Sequence, residues 1–182
     1  MIQDIAETGT GASLKGRGAR LILQHSEKGS HTMFKTLLIP VDGSTHAEKA
    51  LAVAAELARS GGGTLHLLNV TEAAPDGIGL LVGGSTEPMS AAEREKLAEG
   101  VQKAAQQTID KAKSAVDLSG LEVKVLVRRG RPGERIVEAA EELGADAVVM
   151  GSRGMSDLKG MVVGSVSHRV SHTAGCSVIT VT

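Results

Sequence analysis

The chain has 182 residues, of which 41% are hydrophobic and 23% charged, and its formal net charge is −1. This length suits one domain, and the near-neutral charge offers no general attraction to nucleic acid or anionic lipid. The only aromatic residue is Phe34 and the only cysteine is Cys176, which excludes base-stacking platforms, an internal disulfide and a multi-cysteine metal site.

The first 32 residues differ from the rest, because they are polar, rich in Gly and Ser, and without hydrophobic periodicity. We interpret 1–32 as a flexible N-terminal extension or a tag, and 33–182 as the folded domain. No apolar run suits a signal peptide or approaches the roughly 18 residues that span a bilayer. With a single cysteine, this predicts a cytoplasmic protein without membrane insertion and without a nucleic-acid partner.

From residue 33 onward, strand signals alternate with helix signals. Apolar runs rich in Val, Leu and Ile predict strands at 34–41, 64–70, 121–129, 145–151 and 176–182. Helices are predicted to begin at a cap formed by Ser44 or Thr45, at the Ser90–Glu93 capping box, at Pro132 and near Gly164. This order predicts an α/β fold, with a single open, mostly parallel five-stranded twisted sheet and helices on both faces, in a Rossmann-like arrangement.

Two of the predicted helices carry apolar stripes at helical spacing. The first stripe consists of Ala47, Leu51, Ala54 and Ala58, and the second of Leu97, Val101, Ala105, Thr108 and Ala112. Both stripes are expected to face the sheet.

Two predicted strands are followed by stretches of unusual composition. "PVDGS" (40–44) follows the first strand, and "GSRGMSDLKGMVVGSVS" (151–167) follows the fourth. Ligands of open α/β sheets bind beyond the carboxyl ends of the strands, where the strand order reverses. If the first and fourth strands are neighbours, both stretches line one crevice.

The glycines of the second stretch suit an anion. Gly151 and Gly154 flank Ser152 and Arg153, and Gly164 and Ser165 follow nine residues later at a predicted helix start. Glycine lets backbone N–H groups approach a phosphate, and a helix N-terminus adds a partial positive charge. Hydroxyls of Ser165 and Ser167 and the cations Arg153 and Lys159 would add donors and charge. The alternative is that Gly151 and Gly154 only form a turn after the strand and that Gly164 only admits close helix–sheet packing.

Asp42 is the acidic residue of the first stretch. Its carboxylate suits ribose hydroxyls or a metal, and it equally suits a turn or a helix cap before Gly43. No G-x-x-x-x-G-K-[ST] and no G-x-G-x-x-G is present, so neither a P-loop nor a dinucleotide-binding site is predicted.

No catalytic group stands out. His168 and His172 have a metal-ligand spacing without an evident third ligand. His46 is expected to be an exposed helix residue, His66 a partly buried strand residue, and Cys176 a structural thiol. We predict no catalytic residue and no metal site formed by the protein, and at most slow hydrolysis.

These stretches together resemble the nucleotide-binding branch of the universal stress protein family. The resemblance rests on "LLIPVDGS", "LHLLNV" and "GADAVVMGSRGMSDLKGMVVGSVS", and it covers residues 33–182. The family motif G-x-x-G-x9-G-[ST] matches in full at Gly151, Gly154, Gly164 and Ser165. The chain departs from the family at Ser177, where proline is usual.

The resemblance implies a site for an adenine nucleotide, most often ATP, with AMP or ADP as alternatives and Mg²⁺ bound through the phosphates. It implies that Asp42 lies near the ribose and that Asn69 and Val70 border the adenine. It also implies that Pro40 and Val41 line the pocket wall and that Gly130 borders the base. The residues that it implies around the ribose and phosphates are Gly151, Gly154, Gly164, Ser165 and Val166, and Met150 and Arg153 complete the implied site.

The family also commonly forms homodimers through the last strand, here 177–182, and a short apolar edge strand invites such pairing. The leading hypothesis is an ATP-binding regulatory module of the stress response that acts as a homodimer with an unknown protein partner. The alternatives are a nucleotide-using enzyme, such as a weak ATPase, and a nucleotide-free interaction protein of the same fold.

Overall fold

The computed structural model describes residues 34–72, 90–154 and 164–182. Within these ranges the chain alternates between strands and helices. The strands are β1 (Thr36–Pro40), β2 (Thr64–Thr71), β3 (Glu122–Arg129), β4 (Ala147–Gly151) and β5 (Ser177–Val181), and the helices are α1 (Thr45–Gly61), α2 (Ala91–Ala115), α3 (Pro132–Leu143) and α4 (Ser165–Thr173). The predicted extension 1–32 and most of the connection between β2 and α2 lie outside the described residues.

The five strands form one sheet in the order β3-β2-β1-β4-β5. Every pair of neighbours is parallel, so the predicted fold class is confirmed. Leu37 pairs with Ala147 and Leu38 with Val148, which makes β1 and β4 neighbours. The strand order reverses between them, so their carboxyl ends form the switch point at which ligands of such sheets bind.

The helices cover both faces of the sheet. Successive side chains of β1 point to opposite faces, so Leu37 and Ile39 enter a cluster with α1 and α2, whereas Leu38 enters a cluster with α3 and α4. All three residues are fully buried. The buried members of these two clusters are Leu, Ile, Val and Ala residues and Met150, in keeping with a chain that has one aromatic residue.

Helix α1 is fixed at both ends by local interactions. Ser44, rather than Thr45, is the N-cap, and its Oγ accepts a hydrogen bond from the backbone N–H of Ala47. Gly62 ends the helix in the left-handed conformation, which glycine adopts at little cost. The predicted stripe of Ala47, Leu51, Ala54 and Ala58 is entirely buried.

Helix α2 begins at the predicted capping box, in which Ser90 and Glu93 exchange hydrogen bonds. Of the predicted stripe, Ala105 and Ala112 are buried, together with Ile109, which the stripe did not include, while 49% of Leu97 is exposed. Helical periodicity indicates which face is apolar, but it does not indicate how far along the helix the sheet extends.

Helices α3 and α4 agree with the predicted boundaries within a residue or two. Pro132 occupies the first turn of α3 and Gly144 ends it in the left-handed conformation. Helix α4 follows the N-cap Gly164. Within the described ranges, none of the helices combines the length and the apolar character that a bilayer crossing requires.

Candidate functional site

The loops after β1 and β4 meet at the switch point. Asp42 follows β1, and its Oδ1 accepts a hydrogen bond of 3.0 Å from the backbone N–H of Ser44. A Cβ placed on Gly154 would lie 2.7 Å from the other carboxylate oxygen of Asp42. The structure therefore brings together the acidic residue of the first loop and the second glycine of the motif.

A buried amide holds the end of β1. Asn69 is 7% exposed, and its Nδ2 donates a hydrogen bond of 2.8 Å to the carbonyl of Val41. The N–H of Val41 donates in turn to the carbonyl of Leu68 at 2.8 Å. Asn69 thus ties the residue before Asp42 to β2, and its side-chain N–H is engaged inside the protein.

A lysine of α2 also contacts this loop. Lys111 Nζ donates to the carbonyl of Gly43 at 3.1 Å and lies 3.1 Å from Oε1 of Glu48. Sequence reasoning missed Lys111, because 68 residues separate it from Gly43 and no local pattern marks such a contact.

Gly151 has a packing role. A Cβ at this position would lie 2.7 Å from Cβ of His46, 2.9 Å from its carbonyl carbon and 3.1 Å from the backbone N of Ala47. The first turn of α1 therefore lies directly on the end of β4. Gly151 therefore admits close packing of α1 on the end of β4, a role that the sequence suggests only for Gly164.

The segment around Ser152 connects three elements. Its N–H donates to the carbonyl of Val181 at 2.7 Å, and its carbonyl accepts from the N–H of Gly164 at 2.8 Å. The Oγ of Ser167 also approaches the Ser152 carbonyl, at 2.8 Å. Ser167 is 2% exposed, so its hydroxyl is not directed to a ligand as the sequence suggested. Among the residues that the structure describes, Ser152 Oγ has no hydrogen-bond partner although it is buried.

The start of α4 suits an anion. The N-cap is Gly164, which supplies no side-chain hydrogen bond to the first turn. Ser165 is exposed and Val166 is partly buried against the core of the α3–α4 face. An N-terminus without a side-chain cap leaves its N–H groups and its partial positive charge for another acceptor.

The remaining predicted residues surround these loops. Val70 and Met150 belong to the α3–α4 face of the sheet, and Pro40 and Arg153 are partly buried. Gly130 has a φ of +136°, and a Cβ there would lie 2.6 Å from Nε of Arg135. A side chain at Gly130 would be disfavoured both by the backbone and by this contact.

An open cleft adjoins the start of α4. It has a volume of about 560 Å³ and lies between α3 and α4, with Arg131, Glu134, Ser165, Val166 and His168 among its lining residues. A second cleft, of about 340 Å³, lies beside Gly62 and Gly120, where β2 and β3 begin. Only the cleft between α3 and α4 shares residues with the predicted site.

The two histidines of α4 lie one turn apart on the surface of the helix. His168 and His172 are exposed, and their rings stack with centroids 4.3 Å apart. Among the residues that the structure describes, no three metal-ligating side chains come together. His46 is partly buried at the contact with Gly151, rather than fully exposed as predicted.

Two other titratable groups have pKa values that are shifted so as to favour the uncharged form. Burial lowers the pKa of His66 below its ordinary value, and the neighbouring Lys124 lowers it further, while Glu122 partly opposes the change. Burial raises the pKa of the Cys176 thiol, which reduces its fraction of reactive thiolate. Both shifts agree with structural roles for these residues.

Known proteins resemble the chain over almost all of the described residues. Residues 33–182 match the Universal stress protein family. Universal stress protein YxiE of Bacillus subtilis is 33% identical over 149 residues, which cover 82% of this chain and 99% of that protein.

Solved structures show the same fold. UspA from Lactobacillus plantarum superimposes with a TM-score of 0.65 at 22% identity, over 84% of this chain and all of that one. A universal stress protein from Archaeoglobus fulgidus in complex with dAMP has a TM-score of 0.54 at 27% identity, over 83% of this chain and all of that one.

Proposed function

Because the chain belongs to the universal stress protein family, we propose that it binds an adenine nucleotide at the switch point between β1 and β4. In the finer form of the proposal the nucleotide is ATP, and the protein is a regulatory module that acts as a homodimer. The proposed site consists of Pro40, Val41, Asp42, Asn69, Val70, Gly130, Met150, Gly151, Arg153, Gly154, Gly164, Ser165 and Val166.

The proximity of Asp42 to Gly154 carries this proposal. A Cβ at Gly154 would lie 2.7 Å from a carboxylate oxygen of Asp42, so an anionic acceptor and the backbone of the glycine motif lie side by side at the switch point. In the proposed complex the carboxylate accepts hydrogen bonds from the ribose hydroxyls. The exposed Ser165 and the uncapped first turn of α4 bind the phosphates.

The base is proposed to lie on the α3–α4 face. Val70 and Val166 are partly buried against the core of that face, which leaves part of their apolar surface for the flat face of a purine. The complex of the related Archaeoglobus fulgidus protein with dAMP supports an adenine base. A phosphate chain longer than that of dAMP would follow the loop after β4 toward Arg153.

Mg²⁺ is proposed to enter with the phosphates of ATP. The described residues include no cluster of three or more metal-ligating side chains, so phosphate oxygens would supply most of the ligands. Such coordination is typical of Mg²⁺, which keeps several waters and few protein ligands.

The proposed dimer forms through β5. This strand lies at one edge of the sheet, and its residues from Val178 to Val181 are buried by the protein's own core, so the outer backbone edge remains for pairing. Sedimentation of the full chain over a range of concentrations tests this part. A monomer at all concentrations would contradict it without affecting nucleotide binding.

Analysis of co-purified nucleotide tests the proposed function. The purified protein is denatured, and the released small molecules are separated and identified by mass. We expect an adenine nucleotide at a substantial molar fraction. The Gly154→Val variant, prepared in parallel, should release much less, because its side chain would displace the Asp42 carboxylate. Equal release from both proteins would place the bound nucleotide elsewhere.

A further inference from the structure

We propose that Ser167 is a positioning residue, whose buried hydroxyl fixes the loop after β4 against the first turn of α4. Through this tie, Ser167 sets the distance between the backbone N–H groups of Gly154 and those at the start of α4. The inference rests on the proposed function, since those two groups are the proposed phosphate donors.

The geometry of the tie is specific. Ser167 is 2% exposed, and its Oγ lies 2.8 Å from the carbonyl of Ser152 and 2.9 Å from that of Gly164. The carbonyl of Ser152 also accepts the N–H of Gly164 at 2.8 Å. A single carbonyl of the loop therefore receives two donors from the start of α4.

The loop side of the tie is anchored in the sheet. The N–H of Ser152 donates to the carbonyl of Val181 at 2.7 Å, so Ser152 continues the pairing of β4 with β5. Gly154 is only two residues further on. Ser167 thus joins the start of α4 to a residue that is itself held on the sheet.

Removal of the Ser167 hydroxyl leaves the carbonyl of Ser152 with one hydrogen bond, from the N–H of Gly164, instead of two. Because the site is buried, water cannot readily replace the lost donor. The start of α4 would then be less well fixed relative to Gly154. A ligand that binds both elements through its phosphates would lose affinity, whereas a ligand without phosphates would not.

Ser167→Ala provides the test, and Ser114→Ala provides a matched control. Ser114 Oγ donates to the carbonyl of Lys111 at 2.8 Å, which is the same bond to the third preceding residue that Ser167 makes within α4. Ser114 lies near the end of α2 and makes no bond to the described residues of the loop after β4. Both variants lose one hydroxyl from a helix.

Affinities for AMP, ATP and adenosine are measured by calorimetry for the full chain. Ser167→Ala should weaken AMP and ATP by about fivefold, the equivalent of one buried hydrogen bond, and leave adenosine unchanged. Ser167→Cys, which keeps the volume and a weak donor, should lie between Ser167→Ala and the unmodified protein. An equal loss for all three ligands, or no loss for any, would overturn the proposal.

Amide hydrogen exchange of the ligand-free protein separates this proposal from the proposed function. The N–H of Gly164 should exchange faster in Ser167→Ala than in Ser114→Ala. Unchanged exchange would overturn the tie even if nucleotide binds. Faster exchange in a protein that binds no adenine nucleotide would contradict the proposed function, and with it the role of Ser167 in phosphate binding.

Discussion

The carboxylate of Asp42 occupies the space that a side chain at Gly154 would need, since a Cβ there would lie 2.7 Å from Oδ2. The two residues follow different strands and meet only because β1 and β4 are neighbours. Gly154 is not among the glycines with a positive φ. Its lack of a side chain is therefore explained by this close approach and not by the backbone conformation.

Gly154→Val is expected to weaken ATP binding by at least about tenfold while the protein stays folded. The new side chain meets the end of a flexible carboxylate, which can move at little cost to stability, but the moved carboxylate no longer faces the ribose. Loss of a charge-assisted hydrogen bond is worth about 1.5–3 kcal/mol. Calorimetry measures the affinity and thermal unfolding measures the stability.

Gly175→Val is the control for this change. In the described part of the chain, no heavy atom beyond the adjoining residues lies within 4 Å of a Cβ at Gly175, and its φ is not positive, so the same side chain is tolerated there. Unchanged ATP affinity in Gly154→Val would show that Asp42 and Gly154 do not form the ribose subsite.

Gly151→Ala is expected to act on stability instead. Its Cβ would approach the backbone of α1 at 2.9 and 3.1 Å, and backbone cannot move aside as a side-chain end does. Such overpacking costs about 1–3 kcal/mol, which urea unfolding measures. Gly100→Ala, at a helix position with open space around it, should be neutral or slightly stabilising. Equal stability of the two variants would contradict the packing role of Gly151.

Asn69→Leu removes the buried amide that ties β1 to β2. The carbonyl of Val41 then loses a donor at 2.8 Å in a place that water does not reach. An unsatisfied buried carbonyl costs about 1–3 kcal/mol, so the free energy of unfolding should fall by that amount. A variant as stable as the unmodified protein would show that the bond contributes nothing.

His66 is expected to make stability depend on pH. Its pKa in the folded protein is lowered from 6.5 by burial and then by Lys124, so below pH 6.5 the unfolded chain binds more protons than the folded one. The contribution of His66 to the free energy of unfolding is therefore complete above pH 6.5, and it is lost as the pH falls toward the pKa of the folded state. Urea unfolding between pH 5 and 8 measures how the free energy of unfolding changes with pH. The same pH dependence in His66→Gln as in the unmodified protein would contradict this assignment.

The sequence allowed the fold to be predicted because each element carries its own signals. Apolar runs mark the strands, and caps such as Ser90 with Glu93 mark helix starts. The pairing of β1 with β4 was a condition of the predicted crevice, and only the strand register shows that this condition is met. The apolar face of α2 was also predicted, whereas the exposure of Leu97 depends on where the sheet ends.

The roles of individual site residues required tertiary contacts. Gly151 and Gly154 look alike in the sequence, yet one faces the backbone of α1 and the other a carboxylate. Ser167 has the residue type of a phosphate donor, but its hydroxyl is directed into the protein. Local patterns identify residues that are near a site, and only the packing shows what each one contacts.

Titration of ATP with Mg²⁺ into nucleotide-free protein tests the central claim most directly, with AMP and GTP as comparison ligands. The account predicts saturable binding of ATP at one site per chain, weaker binding of GTP, and marked loss of ATP binding in Gly154→Val but not in Gly175→Val. Absence of binding by every adenine nucleotide, in a protein shown to be folded and free of bound ligand, would contradict it.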